Sequence, residues 1–457
     1  MTKDNLSRRD FLRMSGLVAA SAVLAACAPT AGPSTQEPAQ EEEEEGAPAA
    51  PKSATVRFFT NDVGWREERY RSILPDFEAE FPHIKIEYTH VTADWEEALT
   101  TWAAAGTMPD VFYSRTQKTA SRARLGWILP ITEYINADPD RDALLDDFWP
   151  VQVPQLQYKG DWYLIPENIS AISFKFRTEF FEEAGIPYPE KPWTMEEFKT
   201  ICEQVTVRES DETTRWAFDP SWFLTSSGFA WIWLPAGIVD TETNTCVIDQ
   251  PENIEMLNFL QDMKFKDKLI PRSEDIPEGI NMFANDRVAI MQAGVWEVTD
   301  VRDSLGEDKH WDIAWLPNNP MKPEENLSIN YGAGYAMGKD SPDKDAAWTL
   351  LRYLSRPEMQ QVFIVEDNWA LPGRMSVTED WINGVLNTGS GEPEHVRVWH
   401  DALLKGRTVP VTPAEKELED QYPNLMGPIL VTGEQRAEEA LPGIQAELQA
   451  ILDKYAD

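Results

Sequence analysis

Residues 54–114 read ATVRFFTNDVGWREERYRSILPDFEAEFPHIKIEYTHVTADWEEALTTWAAAGTMPDVFYS. Val56, Phe58 and Thr60 share one face of a strand. Tyr70, Ile73, Leu74, Phe77 and Phe81 then recur at helical spacing. Ile84, Ile86 and Tyr88 alternate again, Trp95, Leu99 and Trp102 return to the helical period, and Asp110–Ser114 reads as a buried strand. Side chains repeat every two residues along a strand and every 3.6 along a helix, so the order is βαβαβ. Such a unit builds a largely parallel sheet with helices on both faces, an α/β fold. Pro75 lacks an N–H and predicts a kink or an early break in the first helix.

Outward from this stretch, helix starts are marked. Thr194 with Glu197 and Ser355 with Glu358 each have capping-box spacing. Pro342 after Ser341 reads as the first position of a helix. Ala346, Ala347, Leu350, Leu351 and Leu354 form the apolar stripe of that helix. A chain of 457 residues exceeds one ordinary core, so two lobes are expected.

The first 26 residues have the layout of an export signal. Arg8 and Arg9 form a twin-arginine pair, Leu17–Ala26 is an apolar run too short to span a bilayer, and Leu24-Ala25-Ala26-Cys27 resembles a bacterial lipobox. The expectation is cleavage before Cys27 and lipidation of its thiol. Residues 27–53, with the run Glu41–Glu45, cannot build a core and read as a disordered acidic tether.

The formal net charge is −37, which argues against nucleic acid and against docking on anionic lipid through a basic face. Three Cys make no disulfide framework. Phosphate-cradling glycine motifs, GxSxG and HExxH are all missing from the sequence. No pair of the five His has the i, i+4 spacing of a helical zinc pair. Asn136, Asp138, Asp140 and Asp142 imitate a calcium loop, but Arg141 stands where its turn needs Gly. No catalytic residue, metal or cofactor is expected. The 18 Trp are roughly three times the usual share and suit a flat, apolar-faced ligand.

From about Thr55 onward the chain resembles the extracellular solute-binding proteins of bacterial ABC importers, in the sugar-binding, maltose-binding-protein-like group. The resemblance rests on seven pieces in order. These are Thr107–Phe112, Leu125–Ile131, Tyr158–Pro166, Phe180–Pro187, Pro192–Phe198, Ala289–Trp296 and Lys339–Pro342. One departure is Lys175-Phe176, where relatives often have Tyr-Asn. The resemblance implies two α/β lobes, each made of two chain segments, with a hinge and an interlobe cleft. Residues 54–167 and 335–372 would form lobe 1; residues 168–334 and 373–457 would form lobe 2. It also implies a monomeric receptor, lipid-anchored outside the cytoplasmic membrane, that hands a sugar or oligosaccharide to the transmembrane subunits of an ABC permease. A secreted glycosidase or lyase with the same aromatic cleft is the rival, and a polyol, phosphoester or peptide ligand is a third reading.

Ligands of open α/β sheets sit beyond the carboxyl ends of strands. That rule selects Asn61, Asp62 and Trp65 after the first strand, and Ser114 and Arg115 after Asp110–Tyr113. The resemblance adds Glu167 and Ser170 at the first lobe crossing, Trp296 after Gly294, and Tyr331 at the second crossing. It also adds Trp231 or Trp233, of which Trp233 is chosen, and Trp369 and Arg374 in the last crossing. Aromatic rings suit the C–H faces of sugars, and Asp, Arg and Asn suit their hydroxyls.

Overall fold

The computed structural model describes residues 52–61, 64–91, 94–210, 212–220, 230–366, 368–389 and 391–456. The expected signal and tether, Cys27 included, lie outside the described residues, and so does Asp62. Among the described residues no helix is long and apolar enough to cross a membrane.

The opening stretch folds as its periodicity dictates. β1 (Ala54–Thr60) pairs in parallel with β2 (Ile84–His90) and β3 (Val111–Arg115), with Phe58 opposite both Tyr88 and Val111. The intervening helices are Gly64–Glu80 and Trp95–Ala105. Of the two outcomes expected at Pro75, the early break does not occur; the helix runs on to Glu80. Ile73, Leu74 and Phe77 on either side of the proline are buried, and that packing holds the helix together across the missing bond.

Five further strands complete the framework: β4 (Leu164–Arg177), β5 (Glu212–Asp219), β6 (Val288–Gly294), β7 (Trp311–Ala314) and β8 (Ile329–Met337). The hydrogen-bonded order is β2-β1-β3-β8-β4-β6-β5. β4 is 14 residues long and buried throughout. Its first half pairs antiparallel with β8, Ser170 opposite Tyr331, and its second half pairs antiparallel with β6, Ile172 opposite Gly294. One strand therefore belongs to two sheet halves. β5 and β6 run parallel, Phe218 opposite Ile290, as the far counterpart of β1–β3.

Two apolar clusters form, and the first reaches across the shared strand to take in Trp216, Val288, Trp311 and Ile313 of the far half. Phe58, Phe112, Tyr335 and Leu350 belong to the first. Phe174, Phe198, Phe218 and Trp233 belong to the second, which also takes in Leu418, Tyr422 and Leu448 from the C-terminal helices. The helices Thr378–Leu386 and Arg397–Lys405 pack into the first cluster through Trp381 and Trp399.

The capping readings divide. Thr194 and Glu197 form the expected reciprocal box, with backbone-to-side-chain bonds of 2.8 and 3.1 Å. Ser355 does not cap a helix start. It ends helix Lys344–Leu354 and turns its hydroxyl back to the Arg352 carbonyl at 2.9 Å. Pro342 is not the first helical residue either; Asp343 is the cap, accepting from the Ala346 N–H at 3.1 Å. The stripe from Ala346 to Leu354 is buried as expected. Cys202 and Cys246 are buried free thiols.

Candidate functional site

Because β1, β2 and β3 are parallel, their carboxyl ends share one edge. Asn61 follows β1, His90 ends β2, and Gln117 sits in the single turn Thr116–Lys118 after β3. The Asn61 Oδ1, both His90 ring nitrogens and both Gln117 amide atoms are buried and make no hydrogen bond among the described residues. Buried polar atoms are nearly always bonded, so such a row at one edge marks a surface built to bond something else. His90 Nε2 is 3.9 Å from the Glu67 carboxylate, an electrostatic contact only.

Charged groups frame this edge. The Arg115 and Arg122 guanidiniums lie 5.2 and 5.6 Å from the Trp95 ring centre, and Arg122 bonds Glu96 at 2.6 Å. Lys118 reaches helix Glu415–Leu430, bonding Glu415 at 2.6 Å and Glu419 at 2.7 Å. Burial by itself would lower the Lys118 pKa, but the two carboxylates outweigh it and hold the ammonium above its ordinary value. Burial pushes the Glu415 carboxyl upward despite Lys118, because Glu419 repels it as well. The bond thus joins the turn after β3 to a helix of the second apolar cluster.

The far half contributes rings. β6 delivers Trp296 in the turn Val295–Glu297, half-buried, its ring centre 6.0 Å from that of Tyr331 on β8. The Trp296 ring lies so close over Gly294 that a Cβ there would approach it to 2.2 Å. Trp231 repeats the device: it is half-buried over Gly237, where a Cβ would meet the ring at 2.3 Å and where φ is +83°. Arg407 donates to the carbonyls of Trp231, Leu234 and Pro235 and clamps this turn to the edge of β8. A groove of about 320 Å³ beside Trp296 is lined by Lys175, Gln292 and Glu297 among others, with Lys175 ion-paired to Glu297. The departing residue of the Lys175-Phe176 pair is therefore engaged on the sheet face of the far half.

The sequence-selected residues separate by burial. Asn61, Arg115, Trp296 and Tyr331 are partly open on the edges just described. Trp65 lies in helix Gly64–Glu80. Ser170 is buried on β4 opposite Tyr331. Ser114 is enclosed and accepts from Arg122. Glu167 is fully buried and accepts from Arg66, Tyr70, Tyr335 and the Asn168 amide, while the Arg66 guanidinium stacks 3.8 Å from the Trp369 ring centre. Glu167 thus sits in a buried network where β4 leaves the first half, and the partly open Trp369 ring covers that network from outside. Trp233 is 1 % exposed and bonds Gln292 at 3.0 Å inside the second cluster; Trp231, two residues earlier, is the more open ring. Arg374 pairs with Asp147 at 2.7 Å, 6 % exposed.

Sequence reasoning missed His90, Trp95, Gln117, Lys118 and Glu415. The strand-end rule could have found Gln117, which is two residues beyond β3. The acidic loop reading gains no support: Asp138 is bonded to Arg352 at 2.5 Å and Asp142 to Arg141 at 2.7 Å.

A sheet divided by a shared strand, with an open polar edge on one half and rings on the other, is the architecture of a two-lobe solute-binding protein. Residues 64–361 match the family described as bacterial extracellular solute-binding protein, and the chain belongs to that family. It is 25 % identical over 301 residues to a maltotriose-binding protein of Pyrococcus abyssi, covering 64 % of this chain and 59 % of that relative's length. Its structure resembles an ABC substrate-binding protein of Listeria monocytogenes solved with cycloalternan (TM-score 0.74, 20 % identity, 88 % of this chain and all of that one). A cyclic α-maltosyl-1,6-maltose binding protein of Arthrobacter globiformis gives a TM-score of 0.72 at 17 % identity, again over 88 % of this chain and all of that one.

Proposed function

We propose that this chain is the substrate-binding component of an ABC importer, that it captures a sugar or oligosaccharide between its two sheet halves, and that it does no covalent chemistry. The observation that carries this reading is the pairing of unbonded buried amide and imidazole groups at the ends of β1–β3 with half-buried Trp rings on the far half. A pyranose has hydroxyls around its rim and C–H groups on its faces, so one molecule satisfies both surfaces. The relative named for maltotriose supports an α-glucan.

Residues 54–167 and 335–372 form lobe 1 in this reading, and residues 168–334 and 373–457 form lobe 2; closure about the shared strands traps the ligand. The twin-arginine pair Arg8-Arg9 and the lipobox ending at Cys27 support export of a monomeric receptor and a lipid anchor outside the cytoplasmic membrane. Titration of the whole chain with a panel of mono- and oligosaccharides tests the ligand class: one-to-one binding without turnover is expected, and glycosidic cleavage would establish the enzyme reading instead. Cys27→Ala should release the protein from the membrane fraction with ligand affinity unchanged.

A further inference from the structure

On the other sheet half, the strand β7, paired with the end of β4, meets the segment before helix Arg397–Lys405. Asp312 on β7 is buried, Glu394 is exposed and His395 is partly exposed. One ligating atom from each lies within 4.8 Å of the others; among the described residues this is the only such group of three His, Cys, Asp or Glu side chains. We propose that Asp312, Glu394 and His395 form a binding site for a divalent cation of the zinc class, which pins this segment to β7.

The side chains are held for that task. The His395 ring stacks on Tyr188, centres 3.5 Å apart and planes 14° from parallel, and the Tyr188 hydroxyl is itself bonded to the Ile313 carbonyl at 3.0 Å. This packing aims Nδ1 at the Asp312 Oδ2, 2.5 Å away. The other Asp312 oxygen accepts from the Ile313 and His395 N–H groups at 2.8 and 3.0 Å, which fixes the carboxylate. Two of the three ligands are thus oriented before any ion arrives, by the kind of outer contacts that support metal-bound imidazole and carboxylate.

The Nδ1–Oδ2 contact needs a proton between the two atoms. An ion bound to both would take that proton's place, releasing it to solvent and using the Nδ1 lone pair. At the usual Zn–N and Zn–O lengths in a tetrahedral site the two atoms would stand about 3.3 Å apart, so they must part by about 0.8 Å. Glu394 is at the surface and free to swing in as the third ligand, with water as the fourth. A set of one imidazole and two carboxylates suits zinc and its transition-metal neighbours; calcium and magnesium prefer more oxygen ligands.

The test uses the whole chain, stripped with a chelator and titrated with Zn²⁺ alone by calorimetry in two buffers of different ionisation enthalpy. One saturable site with proton release is expected. Glu394→Gln, at an exposed position, and His395→Gln should each weaken it roughly tenfold or more. His400→Gln, whose ring bonds Asp401 elsewhere, should not. Co²⁺ should give the visible absorption of a four-coordinate ion in the wild type and lose it in both variants. No saturable zinc site, or one indifferent to Glu394→Gln and His395→Gln, overturns the proposal.

Discussion

In the proposed function the two sheet halves solve different parts of one recognition problem. At the ends of β1–β3, Asn61, His90 and Gln117 carry buried polar atoms with no hydrogen bond among the described residues. At the ends of β6 and in the Trp231 turn, two large rings lie flat over glycines. Neither surface is cheap alone. Buried amide groups without partners cost stability, and open indole rings cost hydration free energy. A ligand that touches both at once relieves both, so lobe closure and ligand capture are thermodynamically one event.

The comparison sharpens first within the far half, where two Trp separated by 62 residues have opposite surroundings. Trp233→Ala empties a site inside the second cluster and should cost about 3–5 kcal/mol of folding stability. Affinity in the folded fraction should barely change. A denaturant melt of the ligand-free protein measures the first quantity and calorimetry the second. Trp296→Ala should do the reverse: binding weakens by roughly 2–4 kcal/mol, on the order of 30-fold to 1000-fold in Kd, while the melt shifts little. Strong destabilisation by Trp296→Ala with unchanged affinity would place that ring in the core and remove the aromatic side of the comparison.

The polar half makes a prediction of unusual sign. Gln117→Leu removes two buried atoms that lack partners, so folding stability should hold or rise by about 1 kcal/mol. Affinity should fall by about 1–1.5 kcal/mol, roughly tenfold. A variant that loses both would mean Gln117 is bonded within the protein. The smallest effect belongs to the bond between halves. Lys118 has a folded-state pKa raised above 10.5, so its contribution is complete below that pH and fades as pH climbs through the raised value. The stability difference between wild type and Lys118→Met should be flat from neutral pH upward and shrink only above pH 10.5. A difference that shrinks already near neutral pH would show that Lys118 is not held by Glu415 and Glu419.

Local pattern carried the reading of β1–β3 and their helices, because a strand or helix with one buried face must repeat its apolar residues at that element's period. It failed at Ser355 and Pro342, and the break allowed for at Pro75 did not occur; at Pro342 the neighbouring Asp343 supplies the cap instead. At Ser355, the hydroxyl donates to the Arg352 carbonyl of the preceding helix. The strand-end rule reached Asn61 and Arg115, since parallel order alone puts those positions on one edge. Glu167 and Arg374, which the resemblance supplied, show the limit of reading a site from position in the chain. A charged residue at a lobe crossing serves a ligand or an internal ion pair equally well on paper, and only the presence of Arg66 or Asp147 beside it decides.

What the sequence by itself determined is the alternation of elements, the family, and the short list of residue types at the strand ends. All of these depend on neighbours within a few positions or on a matching order of motifs. The tertiary structure alone decided which Trp of Trp231 and Trp233 is enclosed, that Gln117 has no hydrogen-bond partner among the described residues, and that Lys118 finds Glu415 almost three hundred residues away. Burial and charge pairing are properties of contacts between distant segments, and one sequence records the segments without recording which of them meet.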